Sequence, residues 1–294
     1  MLAGIVVLAL GTSIAVKLAQ GDRHRAAATT PPPTLPDGTR SVLPEHRIVA
    51  HYGAPQDKNL GILGIGTPRA AVARLKASAA QYAPLSRRPI LPAMELITDV
   101  AAASPGSDGM YRMRQGASVI RTYLHAARSM KALFIMDLQT GRADFVTEAK
   151  ALETYLKGPD VGLALDPEWR MGPGQIPGKV IGHVEAAEIN RVAKWMSDLV
   201  RAGNLPDKVL ILHQFTDGMI GHRAGLHTYP GVDIVLNADG VGNPDLKRST
   251  YRRVTRGRAG FSVGFKLFYV EDTDLMTPRQ VMALRPQPNV VMYE

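Results

Sequence analysis

Cysteine is absent from the 294 residues, which excludes disulfides, thiolate metal sites, a cysteine nucleophile and a lipid-modified cysteine. No glycine-rich nucleotide loop follows the first apolar run, and no GxSxG elbow occurs, so neither a dinucleotide fold nor a nucleophilic serine is expected. Metal-ligand spacing is missing too. There is no HExxH and no HxH after the first apolar run, and His222 and His227, five apart in a Gly-rich stretch, form no recognised ligand pair. No cofactor or metal is therefore expected. No nucleic-acid recognition motif and no internal repeat beyond a strand–helix unit is present. Against these absences stand an apolar fraction of 45%, ample for a sizeable core, and a formal charge of +9, which favours anionic surfaces or polymers but says nothing about fold.

There is one long apolar stretch, residues 2–16 (LAGIVVLALGTSIAV). Its length suits the core of a secretory signal and is short for a membrane-spanning helix, although Lys17 follows it and no positive residue precedes it. Residues 1–19 are read as a signal peptide or membrane anchor. Residues 20–45, with TTPPPTLPDGT at their centre, read as a Pro-rich tether, and 46–294 as the folded domain. The expected localisation is export: secreted, or held on the outer face of the cytoplasmic membrane, with membrane contact through the N-terminal segment alone.

Eight short apolar runs cross the remainder: RIVAHYG (47–53), LPAMELI (91–97), ALFIMDL (132–138), VGLALDPEW (161–169), KVLILHQ (208–214), DIVLNAD (233–239), GFKLFYVED (264–272) and NVVMYE (289–294). Continuous apolar runs of this length are the mark of parallel strands covered on both faces. Stretches long enough for a helix separate them, and eight such units over about 250 residues have the size of a (β/α)8 barrel. Helix punctuation agrees: Thr67-Pro68 and Thr277-Pro278 pair an N-cap with proline at the first helical position, and Gln280 completes a capping box. Asp144 caps a helix expected over 145–157. Val192, Trp195, Met196, Leu199 and Val200 give 184–202 a single apolar stripe, and 112–129 behaves likewise. The last helix is expected to be missing or replaced by the N-terminal segment.

Active sites of such barrels gather at the C-terminal ends of the strands. Nearly every run here closes on a polar residue: His51, Glu95, Asp137, Asp166, Glu168, His213, Gln214, Asn237, Asp239, Lys266, Glu271, Asp272 and Glu294. The strongest local signal is LALDPEWR. Pro167 stops the strand, and Glu168 and Trp169 project from the next turn, where an aromatic neighbour raises a carboxyl pKa by desolvation. Lys266, inside an apolar strand, needs a partner, and Asp137 is one candidate.

The segments HYGAP, MDLQTGR, LALDPEWR, LHQF, DG and GFKLFYVED resemble a group of exported bacterial barrel proteins related to glycoside hydrolases, over residues 47–294. The resemblance implies a glycosidase-like barrel acting on an extracellular or cell-envelope polysaccharide. Two carboxylates would flank the scissile bond: Glu168 as general acid, with Glu271 or Asp272 across from it. Asp137, Asp166, Trp169, His51, Tyr52, His213, Gln214, Asn237, Asp239 and Lys266 would bind substrate. Two alternatives stand beside it, a catalytically silent polysaccharide-binding barrel and a metal-dependent phosphodiester hydrolase. The latter rests on IVAHYGAP, which resembles the His-Arg-Gly opening of glycerophosphodiesterase barrels, with Tyr52 in place of the arginine. Finally, the basic run Lys247–Arg258 is a candidate contact for an anionic envelope polymer, and no nucleic-acid partner is expected.

Overall fold

A computed structural model describes residues 31–294 apart from Arg258; the signal or anchor expected at 1–19 and the first part of the tether lie outside the described residues. The chain runs β1 (Arg47–Gly53), α1 (Pro68–Tyr82), β2 (Ile90–Ala101), β3 (Arg112–Arg114), α2 (Ala117–Ser129), β4 (Leu133–Leu138), α3 (Phe145–Ala151), α4 (Glu153–Leu156) and β5 (Val161–Leu165). It continues through β6 (Val184–Glu185), α5 (Ala186–Gly203), β7 (Lys208–Gln214), β8 (Ile220–Gly221), β9 (Val232–Ala238), α6 (Pro244–Val254), β10 (Ser262–Leu267), α7 (Pro278–Met282) and β11 (Val290–Tyr293).

Eight of these strands close a parallel barrel in the order β1-β11-β10-β9-β7-β5-β4-β2, with β2 pairing back to β1. The short β3 adds antiparallel to the overhanging end of β2. The (β/α)8 barrel is thus present, and each expected apolar run supplies one barrel strand. Two runs end early: 161–169 leaves the sheet at Leu165, and 264–272 at Leu267, because the residues beyond turn over the barrel rim. The helix expected over 145–157 breaks in two at Leu152. Both Thr-Pro caps form, the second with the capping box complete.

Two apolar layers result. Val49, Met94, Phe134, Leu163, Leu210 and Leu236 point outward to the helices, and Ile48, Ala50, Ala93, Ile135, Ala164, Ile211 and Met292 fill the barrel. Leu35, Val42 and Leu43, expected in the tether, are buried with this inner layer. Asp233 accepts from the Leu43 amide at 2.9 Å, and the Arg40 guanidinium binds the Leu205 carbonyl at 2.9 Å. The end of the expected tether is therefore part of the folded unit.

Candidate functional site

Side chains alternate along a strand, so the residues that follow the inner apolar layer by two positions enter the barrel at its C-terminal end. From Ala50 this rule reaches Tyr52, from Ala93 Glu95, from Ile135 Asp137, from Ala164 Asp166, from Ile211 His213, from Val235 Asn237, and from Met292 Glu294. Lys266 joins them from β10. This is a polar layer capping an apolar barrel, and its charges hold one another.

His213 is the hub. Its Nδ1 lies 2.9 Å from Asp239 Oδ2 and its Nε2 2.7 Å from Glu95 Oε1. Asp137 Oδ1 stands 4.0 Å from the same Nε2. Burial opposes charge on the imidazole, but Asp239 and Glu95 outweigh it and hold the pKa well above the ordinary value. Tyr52 donates to Asp137 Oδ2 at 3.2 Å and accepts from Gln139 at 3.0 Å. Lys266 pairs with Glu294 at 2.6 Å and Asp239 at 3.3 Å, its ammonium 3.6 Å from the Tyr52 ring centroid. Its partners are thus Asp239 and Glu294, not Asp137. Burial alone would lower the Lys266 pKa, but the two carboxylates raise it instead, so the amine is held as a cation.

Above this layer opens a cavity of about 420 Å³, with Tyr52, Gln139, Asp166, Glu168, Trp169, Asp239, Lys266, Phe268 and Glu294 in its wall. Larger hollows of about 690 and 570 Å³ lie on the outer helices, but no buried carboxylate faces either one. Chemistry therefore concentrates at the barrel mouth. Burial, and then the neighbouring Asp239 charge, pushes the Glu168 carboxyl up to about 7. Burial and Asp137 raise Asp166 well above the ordinary range. Glu168 forms no ion pair among the described residues. The nearby guanidinium of Arg170 is taken instead by Glu188 of α5 at 3.2 Å. The turn carrying Glu168 is clamped by the loop that follows: the Gly182 amide donates to the Glu168 carbonyl at 2.6 Å, and the His183 amide to the Arg170 carbonyl at 2.9 Å. A Cβ at Gly182 would stand 2.4 Å from the Pro167 carbonyl oxygen, so only glycine lets the loop approach this closely.

Several residues expected in the site lie elsewhere. His51 points out of the barrel, with Nε2 2.9 Å from Ser78 Oγ of α1, and burial lowers its pKa to about 4. Gln214 also faces outward and donates to the Thr216 carbonyl at 3.0 Å. Asp272 is committed to structure: it pairs with buried Lys247 at 2.9 Å and accepts from the Phe268 and Gly242 amides. Glu271 is exposed and borders a separate hollow of about 80 Å³. The two residues expected opposite Glu168 are therefore absent from its cavity wall. Conversely, Glu95 and Glu294, expected at strand ends but given no role, belong to the barrel mouth, as do Gln139 and Phe268, which the sequence does not point to. Once the structure shows Ala93 and Met292 facing inward, the two-residue step along the strand accounts for the first two.

No family model matches the chain, and no curated protein matches it. Among solved structures, the chain is similar to 2,3-dimethylmalate lyase, a member of the PEP mutase/isocitrate lyase superfamily, at 15% identity over 85% of this chain and 74% of that one, TM-score 0.48. It is similar to oxaloacetate acetylhydrolase at 12% identity over 87% and 76%, TM-score 0.47. A third is Ruminococcus gnavus sialic acid aldolase, at 12% over 85% and 68%, TM-score 0.41. At these values the likeness is one of barrel architecture.

The site geometry corrects the expected function. The carboxylate pair of a glycosidase is not assembled here: Asp272 is paired with Lys247, and Glu271 lies outside the cavity wall that carries Glu168. A polysaccharide partner, whether cleaved or merely bound, goes with that reading. The phosphodiester alternative loses its histidine, because His51 packs against α1. The expected anionic-polymer contact at Lys247–Arg258 is corrected at its first residues, while Arg252 and Arg256 stay exposed. Lys247 and Tyr251 are buried, the first bonded to the Gly240 and Lys266 carbonyls and the second to the Pro286 carbonyl, while Arg248 pairs with Asp245.

Proposed function

We propose that the protein is an enzyme of proton-transfer chemistry on a small polar molecule, with Glu168 as the group that gives and takes the proton. The observation that carries this reading is a glutamate at the wall of a deep cavity, without an ion pair among the described residues and raised to about 7. A carboxyl with a pKa near the working pH is populated in both forms, which is what a general acid or base requires. In such a site Glu168 protonates a leaving oxygen or removes a proton beside a carbonyl.

Substrate class follows from size and charge. A cavity of about 420 Å³ sits at the lower end of the roughly 300–1,000 Å³ used for small ligands, which favours a compact molecule over a polymer chain. Asp239 and Glu294 face it against the cation Lys266, while the raised Asp166 and Glu168 carboxyls are held largely or partly protonated, so the wall is close to neutral and suits a neutral polar molecule. Trp169 and Phe268 offer it an apolar face, and Lys266, already bonded to two carboxylates, positions them instead of acting as a nucleophile.

The test is turnover of a mixed panel of small hydroxy, keto and amino compounds followed by mass spectrometry. Wild type should deplete at least one compound, and Glu168→Gln should bind that compound in a thermal-shift assay while turning it over at least about 100-fold more slowly. Equal depletion by the variant would contradict the assignment.

A further inference from the structure

We infer that the polar layer beneath the cavity is a binding site for one first-row divalent cation, of the Mn²⁺ or Zn²⁺ kind, held by Glu95, Asp137 and His213. The inference goes beyond the proton-transfer reading and does not rest on it.

Three strands converge to make the site: β2 gives Glu95, β4 gives Asp137 and β7 gives His213. One donor atom from each lies within 4.8 Å of the others, and all three side chains are fully buried. Burial makes their bonding a closed account. Glu95 Oε1 meets His213 Nε2, and Asp137 Oδ2 accepts from Tyr52, but Glu95 Oε2 and Asp137 Oδ1 accept no hydrogen bond among the described residues. A buried carboxylate oxygen left without a donor is costly, and the imidazolium of His213 offsets only one of the two carboxylates, so a further positive charge is missing. Lys266 does not supply it, being taken up by Asp239 and Glu294.

The shell around the three residues suits a metal ligand. Asp239 sits at Nδ1 of His213, the position from which a carboxylate orients a ligating imidazole and leaves Nε2 to face the ion. Tyr52 fixes Asp137 in the same way. The spacings also fit. Donors around a tetrahedral ion at about 2.05 Å stand about 3.3 Å apart, a value bracketed by the 2.7 Å and 4.0 Å from His213 Nε2 to Glu95 and Asp137. One nitrogen and two carboxylates suit Mn²⁺ or Zn²⁺ better than Mg²⁺, which sheds its water reluctantly and would have to do so in this dry layer. Tyr52 and Asp239 touch the site and also line the cavity, so the ion lies one layer below the bound molecule.

The experiment is a calorimetric titration of the purified chain, stripped with a chelator, with Mn²⁺, Zn²⁺ and Mg²⁺ in turn. Wild type should bind one Mn²⁺ or Zn²⁺ per chain and Mg²⁺ far more weakly. Glu95→Gln and Asp137→Asn should lose at least about 100-fold in affinity, and Asp239→Asn about 10- to 100-fold. Glu168→Gln should bind as wild type does, which separates this site from the proton-transfer group. Electron spin-echo spectra of the Mn²⁺-loaded wild type should show nitrogen coupling from a single imidazole. Absence of saturable binding by the folded wild type, unchanged affinity in Glu95→Gln, or a spectrum without imidazole coupling would each overturn the proposal, and the first and third do so even if the variants fail to fold.

Discussion

At the scale of single residues, the barrel mouth is an exercise in charge compensation. Lys266 is buried between Asp239 and Glu294 and over the Tyr52 ring; it compensates Glu294 and shares Asp239 with His213. Lys266→Met keeps much of the volume but strands Glu294 and leaves Asp239 to His213 alone, so unfolding free energy should fall by about 3–5 kcal/mol in a denaturant titration. A change under about 1 kcal/mol would mean that the pair is screened by water. The choice of site residues shows what sequence could and could not supply. Asp137, Asp166, His213, Asn237, Asp239 and Lys266 were legible because each closes or interrupts an apolar run. His51 and Gln214 close such runs too, yet face the helices. Parallel barrel strands are apolar on both faces, so the runs carry no alternation from which inward and outward positions can be told. Asp272, expected opposite Glu168, is instead held by a partner that sequence proximity does not reveal, Lys247 of α6.

Among the elements, strands were easier to read than the loops that bear the chemistry. Eight apolar runs yield eight barrel strands, and the Thr-Pro caps mark two helix starts, because each signal is local. The placing of Glu168 is not local. It depends on a turn after β5, clamped by a loop that returns through Gly182 and His183. Gly182→Ala would drive a Cβ into the Pro167 carbonyl and spread the clamp. Activity should therefore fall by more than tenfold while the melting temperature drops only a few degrees, a split visible in parallel kinetic and calorimetric runs. Loss of both in proportion would make the loop a stability element instead. The cation site was equally hidden from sequence. Its donors sit on three strands separated by dozens of residues, so no short spacing announces it.

Over the whole molecule, burial of acids sets the response to pH. Burial is the main reason that Glu168 is raised to about 7 and Asp233 to about 6. A carboxyl raised in the folded state binds its proton there while the unfolded chain has already released it. Each such group thus favours folding at low pH and loses that advantage as pH rises from about 4 through its folded value. With chelator present, the melting temperature should be higher at pH 5.5 than at pH 8, and Glu168→Gln should flatten the slope. Between the same two pH values, an equally steep slope in the variant would remove Glu168 from the account. The most direct check of the central claim is a carbon-13 NMR titration of the Glu168 carboxyl, assigned by comparison with Glu168→Gln. Our account predicts a midpoint near 7. A midpoint near the ordinary glutamate value of about 4.3 would contradict it, for the carboxyl would then be fully ionised at neutral pH and unable to donate a proton there.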